Sequence, residues 1–398
     1  MNHLLGRPNL KLQVGGGSRK IDVQLKFDDE IIDIENYPYK EFTRLDLKCV
    51  TSTPSYFHEF EATRNSELPP PMPSLLVREN YDIDREVQYI VKDFKLWKTI
   101  KQFVRMTSDE KNKILKIIED NHSDIYFDNI KPFVRIRSLS TNPYFYAINS
   151  VFLTGETLDV FHLKYSLFDP RISESIVRDI FCTRTKSQLN KIKEGFENSE
   201  CAFKSGLEYH LDRLLVHIES KSALNFILRL LNTERSDSTT FDINDSFLND
   251  FSLFTDTNYY HCHKHKFMDI FARASYHQIR EMCNLFQKRH GITLMKSISS
   301  KTGSFVKKCA ITICEYAINP YKYFAHRLRK CVVHADIFGI IRIVTSRAEV
   351  DLGNIIREYR NLYEYDRFQS IKSSFEDYPQ IYFDIILPLC GLERKNRI

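Results

Sequence analysis

The sequence predicts an all-α protein made of four repeated units behind an N-terminal extension. Three observations carry this. Glycine is scarce, 12 in 398 residues against an average usage of roughly 7%, which suits helices and argues against folds built on glycine loops. From about residue 76 onward, apolar residues recur at helical spacing between short polar turns. Finally, FCTRTKSQLNKIKEGF, FARASYHQIREMCNLF and VTSRAEVDLGNIIREY align position by position.

Composition bounds the rest. With 398 residues and 42% hydrophobic content, the chain has ample material for a large core. A net charge of +5 is a mild bias towards anionic partners and too small to indicate nucleic acid. The nine cysteines are scattered with no CxxC pair, which reads as buried thiols in a reducing compartment. MNHLLGRPNLKLQVGGG lacks a long apolar core, so no signal peptide is expected. No run approaches 18 apolar residues, so any membrane contact is expected to be peripheral to a cytoplasmic protein.

Taken in order, residues 1–75 read as an extension, partly disordered or loosely docked. Its first 27 residues carry Arg7, Lys11, Arg19, Lys20 and Lys26 against Asp22, followed by the acidic Asp28, Asp29, Glu30, Asp33 and Glu35. LPPPMP at Leu68–Pro73 forbids a regular helix. The units are then expected at 76–155, 156–245, 246–330 and 331–391. Anchors at Arg105, Arg184, Ala274 and Arg347 lie 79, 90 and 73 residues apart. Five positions past the last three stand Leu189, Ile279 and Leu352, then Ile192, Met282 and Ile355, then Phe196, Phe286 and Tyr359. These steps place each set on one helix face. The first unit is degenerate, with Glu110 where the others are apolar. NPYFYAINSVF and NPYKYFAHRLRKC echo each other as proline-initiated helices. The recurrent arginines suggest structural bonds to terminal carbonyls of neighbouring helices.

Four such units of about five helices resemble the annexin family over about residues 76 to 391. The likeness is carried by SYHQIREMCNLFQKRHGITL in the third unit and by IIRIVTSRAEVDLGNIIREYRNLYEYDRFQSIKSSFEDY in the fourth, which ends in LCG at Leu389–Gly391. The resemblance implies a curved disc that binds anionic phospholipid through calcium. The implied calcium site is a K-G-x-G-T-D loop in each repeat plus an acidic residue some 40 positions later. Calcium takes six to eight oxygens, and glycines let such a loop turn its carbonyls towards the ion.

The loops depart from that pattern. In the third unit Tyr259 and His261 stand where glycines are expected, and Ser304 stands for the distant acid. In the second unit Asp169 and Arg171 take the glycine positions, with Pro170 between and Ser222 near the acid position. In the first unit the loop reads near Ile90 and Lys92. The fourth loop, Lys330–Asp336, also lacks both glycines but keeps Asp336, with Asp377 41 residues on. Asp336 and Asp377 are therefore the residual calcium candidates.

The run NYYHCHKHKF sets His261, His263 and His265 beside Cys262. Imidazole and thiolate suit a softer ion such as zinc rather than calcium. Against a metal stands the absence of a second ligand cluster, and alternate residues on a helix do not face one another. A polar, partly protonatable loop is the simpler reading. With Lys264 and Lys266 the run is cationic, and Arg171, Lys264, Lys266 and Lys330 are the expected contacts to an anionic lipid surface. No catalytic pattern stands out. Cys309 and Cys314 lie in an apolar helix and read as core thiols. The competing expectation is a scaffold whose disc and extension bind a cytoskeletal or other protein.

Overall fold

The computed structural model describes residues 25–27, 30–32, 65, 67–75, 81–131, 142–168, 173–198, 206–218, 221–236, 257–299, 305–363 and 369–391. Among them the only strands are a small antiparallel pair, β1 (Leu25–Phe27) and β2 (Glu30–Ile32). Everything else of regular structure is helical.

The first group of helices is α1 (Ile83–Val91), α2 (Leu96–Phe103), α3 (Ser108–Asn121), α4 (Ser123–Ile125) with a π-helical turn Tyr126–Ile130, and α5 (Pro143–Phe152). The second is α6 (Gly155–Phe168), α7 (Ser173–Thr183), α8 (Lys186–Asn198), α9 (Leu207–Ile218) and α10 (Lys221–Asn232). The third holds α11 (Thr257–Arg273), α12 (Tyr276–His290), α13 (Leu294–Ser299) and α14 (Phe305–Ile318). The fourth holds α15 (Pro320–Val333), α16 (Ile337–Arg347), α17 (Leu352–Leu362), α18 (Gln369–Ser373), α19 (Pro379–Ile381), a second π-helical turn Tyr382–Ile386 and α20 (Leu387–Leu389). Helix α15 runs through the expected boundary after residue 330 and packs on α16 and α17.

Helix ends follow local chemistry. Thr107 and Glu110 form a reciprocal capping box on α3, and Ser275 and Gln278 form one on α12. Gly291 closes α12 in the left-handed region, φ 68°, where glycine carries no Cβ penalty. Asn142 and Asn319 cap α5 and α15, each followed by proline at the first helical position. The two NPY starts nevertheless hold different places: α5 ends the first group, whereas α15 opens the fourth. A local start signal repeats without following the repeat's phase.

The aligned apolar positions form the core. Leu189, Ile192, Phe196, Ile279, Met282, Phe286, Leu352, Ile355 and Tyr359 are all buried, each aliphatic or phenyl group contributing about 1.5–3 kcal/mol. Cys309 and Cys314 are buried there too, as free thiols.

The groups close on one another through polar seams. Glu349 accepts from the Ser108 N–H at 2.8 Å and its hydroxyl at 2.6 Å, and Lys101 reaches Asp384 at 3.3 Å, joining the first and fourth groups. The second and third meet where Tyr276 donates to the Cys182 carbonyl at 2.9 Å. The second and fourth meet at Asp179, fully buried, which takes Arg327 at 3.0 Å together with Arg342 and the Tyr323 hydroxyl.

Residues 67–75, within the span expected as an extension, are docked against the fourth group. Gly353 donates to the Met72 carbonyl at 2.9 Å, Ser74 and Leu75 donate to Ala348 at 2.8 and 3.1 Å, and Tyr321 donates to Pro69 at 2.9 Å. The Asn354 side chain donates to Pro70 at 3.2 Å. A proline run has few donors of its own, so the body supplies them. The basic and acidic clusters expected in residues 1–35 fall, apart from the two strands, outside the described residues.

Candidate functional site: the loop ends of the repeats

The loop of the fourth group follows α15. Lys330 sits in the last turn, Val333 is 61% exposed, and His334 and Ala335 are exposed. Ala335 has φ 51°, the one non-glycine residue in the left-handed region among those described. That reversal feeds Asp336 onto the start of α16. The Asp336 N–H donates to Cys331 O at 2.8 Å, and its Oδ1 accepts from the Gly339 N–H at 2.8 Å. Its Oδ2 faces the Cys331 thiol at 3.6 Å. Burial, with the Asp336 carboxylate beside it, pushes that thiol up to about 12. A Cβ on Gly339 would collide with Asp336 Oδ2 and Cys331 Sγ, so a larger residue there must displace the cap or the thiol.

Asp336 is thus the helix cap, half-buried, with its oxygens turned to the backbone and the thiol. Asp377 is exposed, in the turn that precedes α19. A calcium cage needs several oxygens converging on one point. Among the described residues no three His, Cys, Asp or Glu side chains converge in a way that would hold a metal. The donor set of this end suits calcium poorly.

In the third group the corresponding stretch is helix where a loop was expected. α11 begins at Thr257 and runs to Arg273 with a kink at His263, φ −118° and ψ 20°. His261 lies on its first turns, with its side chain outside the described residues. His263 and His265 are exposed. His265 Nδ1 lies 3.3 Å from Arg229, which also pairs with Asp269. Lys264 is half-buried and donates to Ser222 at 3.3 Å, and Lys266 is exposed. The histidine run therefore sits against α10 and does not gather into a ligand set with other described residues. Arg171 lies outside the described residues.

The recurrent arginines prove structural, through carboxylates more than carbonyls. Arg184 grips Asp159 with two bonds of 2.7 and 2.9 Å, and Arg347 grips Asp351 at 2.8 and 2.6 Å, all buried. Such bidentate pairs fix geometry. Arg105, by contrast, is exposed and donates to the Lys101 carbonyl. At Asp179 burial alone would push the carboxyl up, but Arg327, Arg342 and Arg178 together with Tyr323 hold it down at about 2.

A row not singled out from sequence runs along α15: Lys322, His326, Arg329, Lys330 and Val333. Their spacing of four, three, one and three was readable as one helix face, although only the loop position drew attention. His326 Nδ1 lies 2.5 Å from the Tyr363 hydroxyl, and Arg329 lies 5.3 Å from the centre of the Tyr363 ring. Burial, then Lys322 and Lys330, lower the His326 pKa against the pull of Glu358.

No family model matches the chain. It is 31% identical over 239 residues to Annexin D5 of Arabidopsis thaliana, an alignment covering 58% of this chain and 70% of that protein. It is 25% identical over 238 residues to Annexin A5 of Mus musculus, covering 59% and 72%. Its fold is similar to that of annexin III, with TM-score 0.64 and 17% identity over 81% of this chain and 98% of that one. It is also similar to calcium-bound alpha-1 giardin, with TM-score 0.59 and 12% identity over 78% and 99%.

Proposed function

The chain belongs to the annexin family, and on that premise we propose that it binds anionic phospholipid surfaces peripherally, with a calcium requirement that is weak or absent. The observation that carries this reading is the fourth loop. Its one retained carboxylate, Asp336, caps α16, while Lys330, Val333 and His334 beside it are exposed. A loop with its acid turned inward and a cation and an aliphatic group turned outward suits lipid headgroups better than a divalent ion. Lys264 and Lys266 add positive charge at the third repeat, and Arg171 is proposed to do so at the second. Each cation near an anionic surface contributes about 1 kcal/mol. Among the described residues no helix is long and apolar enough to cross a membrane, which accords with attachment from one side.

The test is co-sedimentation with phosphatidylserine vesicles, in calcium and in chelator, at pH 7.5 and 5.5. Binding that persists in chelator and weakens as salt rises supports the reading, because exposed charge contacts are screened. Binding only in calcium would return the weight to Asp336 and Asp377 as ligands. Absence of binding under every condition favours the scaffold reading, in which the disc and extension engage a protein partner.

A further inference from the structure

The proposed membrane contact leaves open which part of the disc meets the lipid. Loop ends distributed over several repeats would present the disc face-on. The charges visible at those ends do not all serve that purpose. At the third repeat Lys264 is bonded to Ser222, and the neighbouring Arg229 is paired with Asp269. Lys322 and Lys330, by contrast, make no side-chain hydrogen bond and no ion pair among the described residues, and both are exposed. They stand on the outward face of α15, eight residues and roughly 12 Å apart along the axis.

Between them the same face carries His326 and Arg329, organised by Tyr363: one ring nitrogen lies 2.5 Å from its hydroxyl, and the guanidinium lies 5.3 Å from its ring centre. The row ends in Val333, at 61% the most exposed large apolar side chain among those described. The opposite face of α15 is buried, with Tyr321, Phe324, Leu328 and Cys331 in the core. The helix therefore shows solvent a ladder of cations ending in an aliphatic tip. Among the described residues, Glu358 of α17 is the acid that acts on His326, and Glu315 of α14 lies within the field of Lys330.

An interfacial helix has this composition: cations for the headgroups, with an apolar group to enter the boundary between headgroup and acyl chain. Standing upright, α15 would hold Lys322 about 16 Å from Val333 along the axis, beyond a headgroup layer of roughly 6 Å. Lying along the surface, it brings every member of the row into that layer at once. We propose that the fourth repeat docks edge-on, with α15 lying in the headgroup layer of an anionic membrane, so that Lys322, Arg329 and Lys330 meet lipid phosphates and Val333 enters the interface. This rests on the membrane reading above and assigns it a place and an orientation independent of calcium.

The experiment compares three forms of the full chain on vesicles of phosphatidylcholine with 30% phosphatidylserine, in chelator: wild type, Lys322→Ala/Lys330→Ala and Lys264→Ala/Lys266→Ala. Thermal melting verifies that each is folded, as expected for surface changes. The α15 pair is expected to lose affinity about fivefold per charge removed, and the α11 pair by a smaller factor, because Lys264 is already held by Ser222. An environment-sensitive fluorophore on Val333→Cys and another on Lys322→Cys should both shift on binding, as a lying helix requires. A shift at residue 333 with none at 322 would overturn the edge-on orientation. Loss of binding in the α11 pair with none in the α15 pair would overturn the site while leaving the membrane reading intact. Wild type that ignores the vesicles altogether would overturn both.

Discussion

The buried seam between the second and fourth repeats and the exposed face of α15 in the fourth use charge in opposite ways. At the seam, one carboxylate, Asp179, gathers Arg327, Arg342 and Tyr323 in a space closed to water. On α15, cations such as Lys330 and Lys322 stand in solvent beside an exposed valine. Desolvation makes the difference. A buried charge must be matched or it destabilises the fold by several kcal/mol. An exposed charge contributes little to stability, so its identity is open to function. The lesson is that the fold of this chain is guarded at its seams, while the exposed charges of α15 are left open to function.

The sharpest way to break that comparison is at the seam. Asp179→Asn should cost about 3–5 kcal/mol, because it leaves two buried guanidiniums uncompensated; chemical denaturation measures this, and a loss under 1 kcal/mol would contradict the assignment. Asp179 also sets an acid limit. Its folded pKa, about 2, lies below that of an unfolded carboxyl, so its stabilisation is present above the unfolded value and is lost as pH falls towards 2.

His162 gives a milder version of the same contrast. It is fully buried, 2.6 Å from the Tyr146 hydroxyl, and burial followed by Arg342 lowers its pKa well below the ordinary imidazole range. The unfolded chain takes up a proton there that the folded one refuses, so stability should decline as pH falls below about 6.5. In His162→Phe that slope should flatten, as read from melts between pH 5 and 8.

Two smaller effects lie at the boundary between seam and surface. Gly339→Ala should cost about 1–2 kcal/mol by displacing the Asp336 cap, with a hydrogen-exchange increase confined to the first turn of α16. Asn354→Ala removes a side chain that bonds both Met72 and Pro70 and should cost about 1 kcal/mol, with faster proteolysis between residues 65 and 80. At the far end of the scale, Lys266→Ala should change stability by less than about 0.5 kcal/mol, whatever it does to lipid binding.

Much of the fold was legible because helices announce themselves locally. Apolar spacing marked the faces that Leu189, Ile279 and Leu352 bury, and asparagine followed by proline marked the starts of α5 and α15. The histidine run was less legible. Its place at the expected calcium loop of the third unit suggested a loop, whereas the segment continues as helix, kinks at His263 and packs against α10. The arginines were readable as structural, and Asp351 stands only four residues past Arg347, but the partner of Arg184 was not legible: Asp159 stands 25 residues before it, and a buried carboxylate looks like any other in sequence.

By itself, the sequence determined that helices form, where most begin, which face of each is apolar and that the pattern repeats four times. These follow from periods of a few residues and from side chains that satisfy their own backbone. Only the tertiary structure decided that Asp179 gathers Arg327 and Arg342, that the proline run straps onto α17, and that the face shared by Lys322 and Lys330 stays open to solvent. Those outcomes depend on groups brought together from as far as 315 residues apart, and chain-distant hydrogen bonds and desolvation leave no local pattern to read.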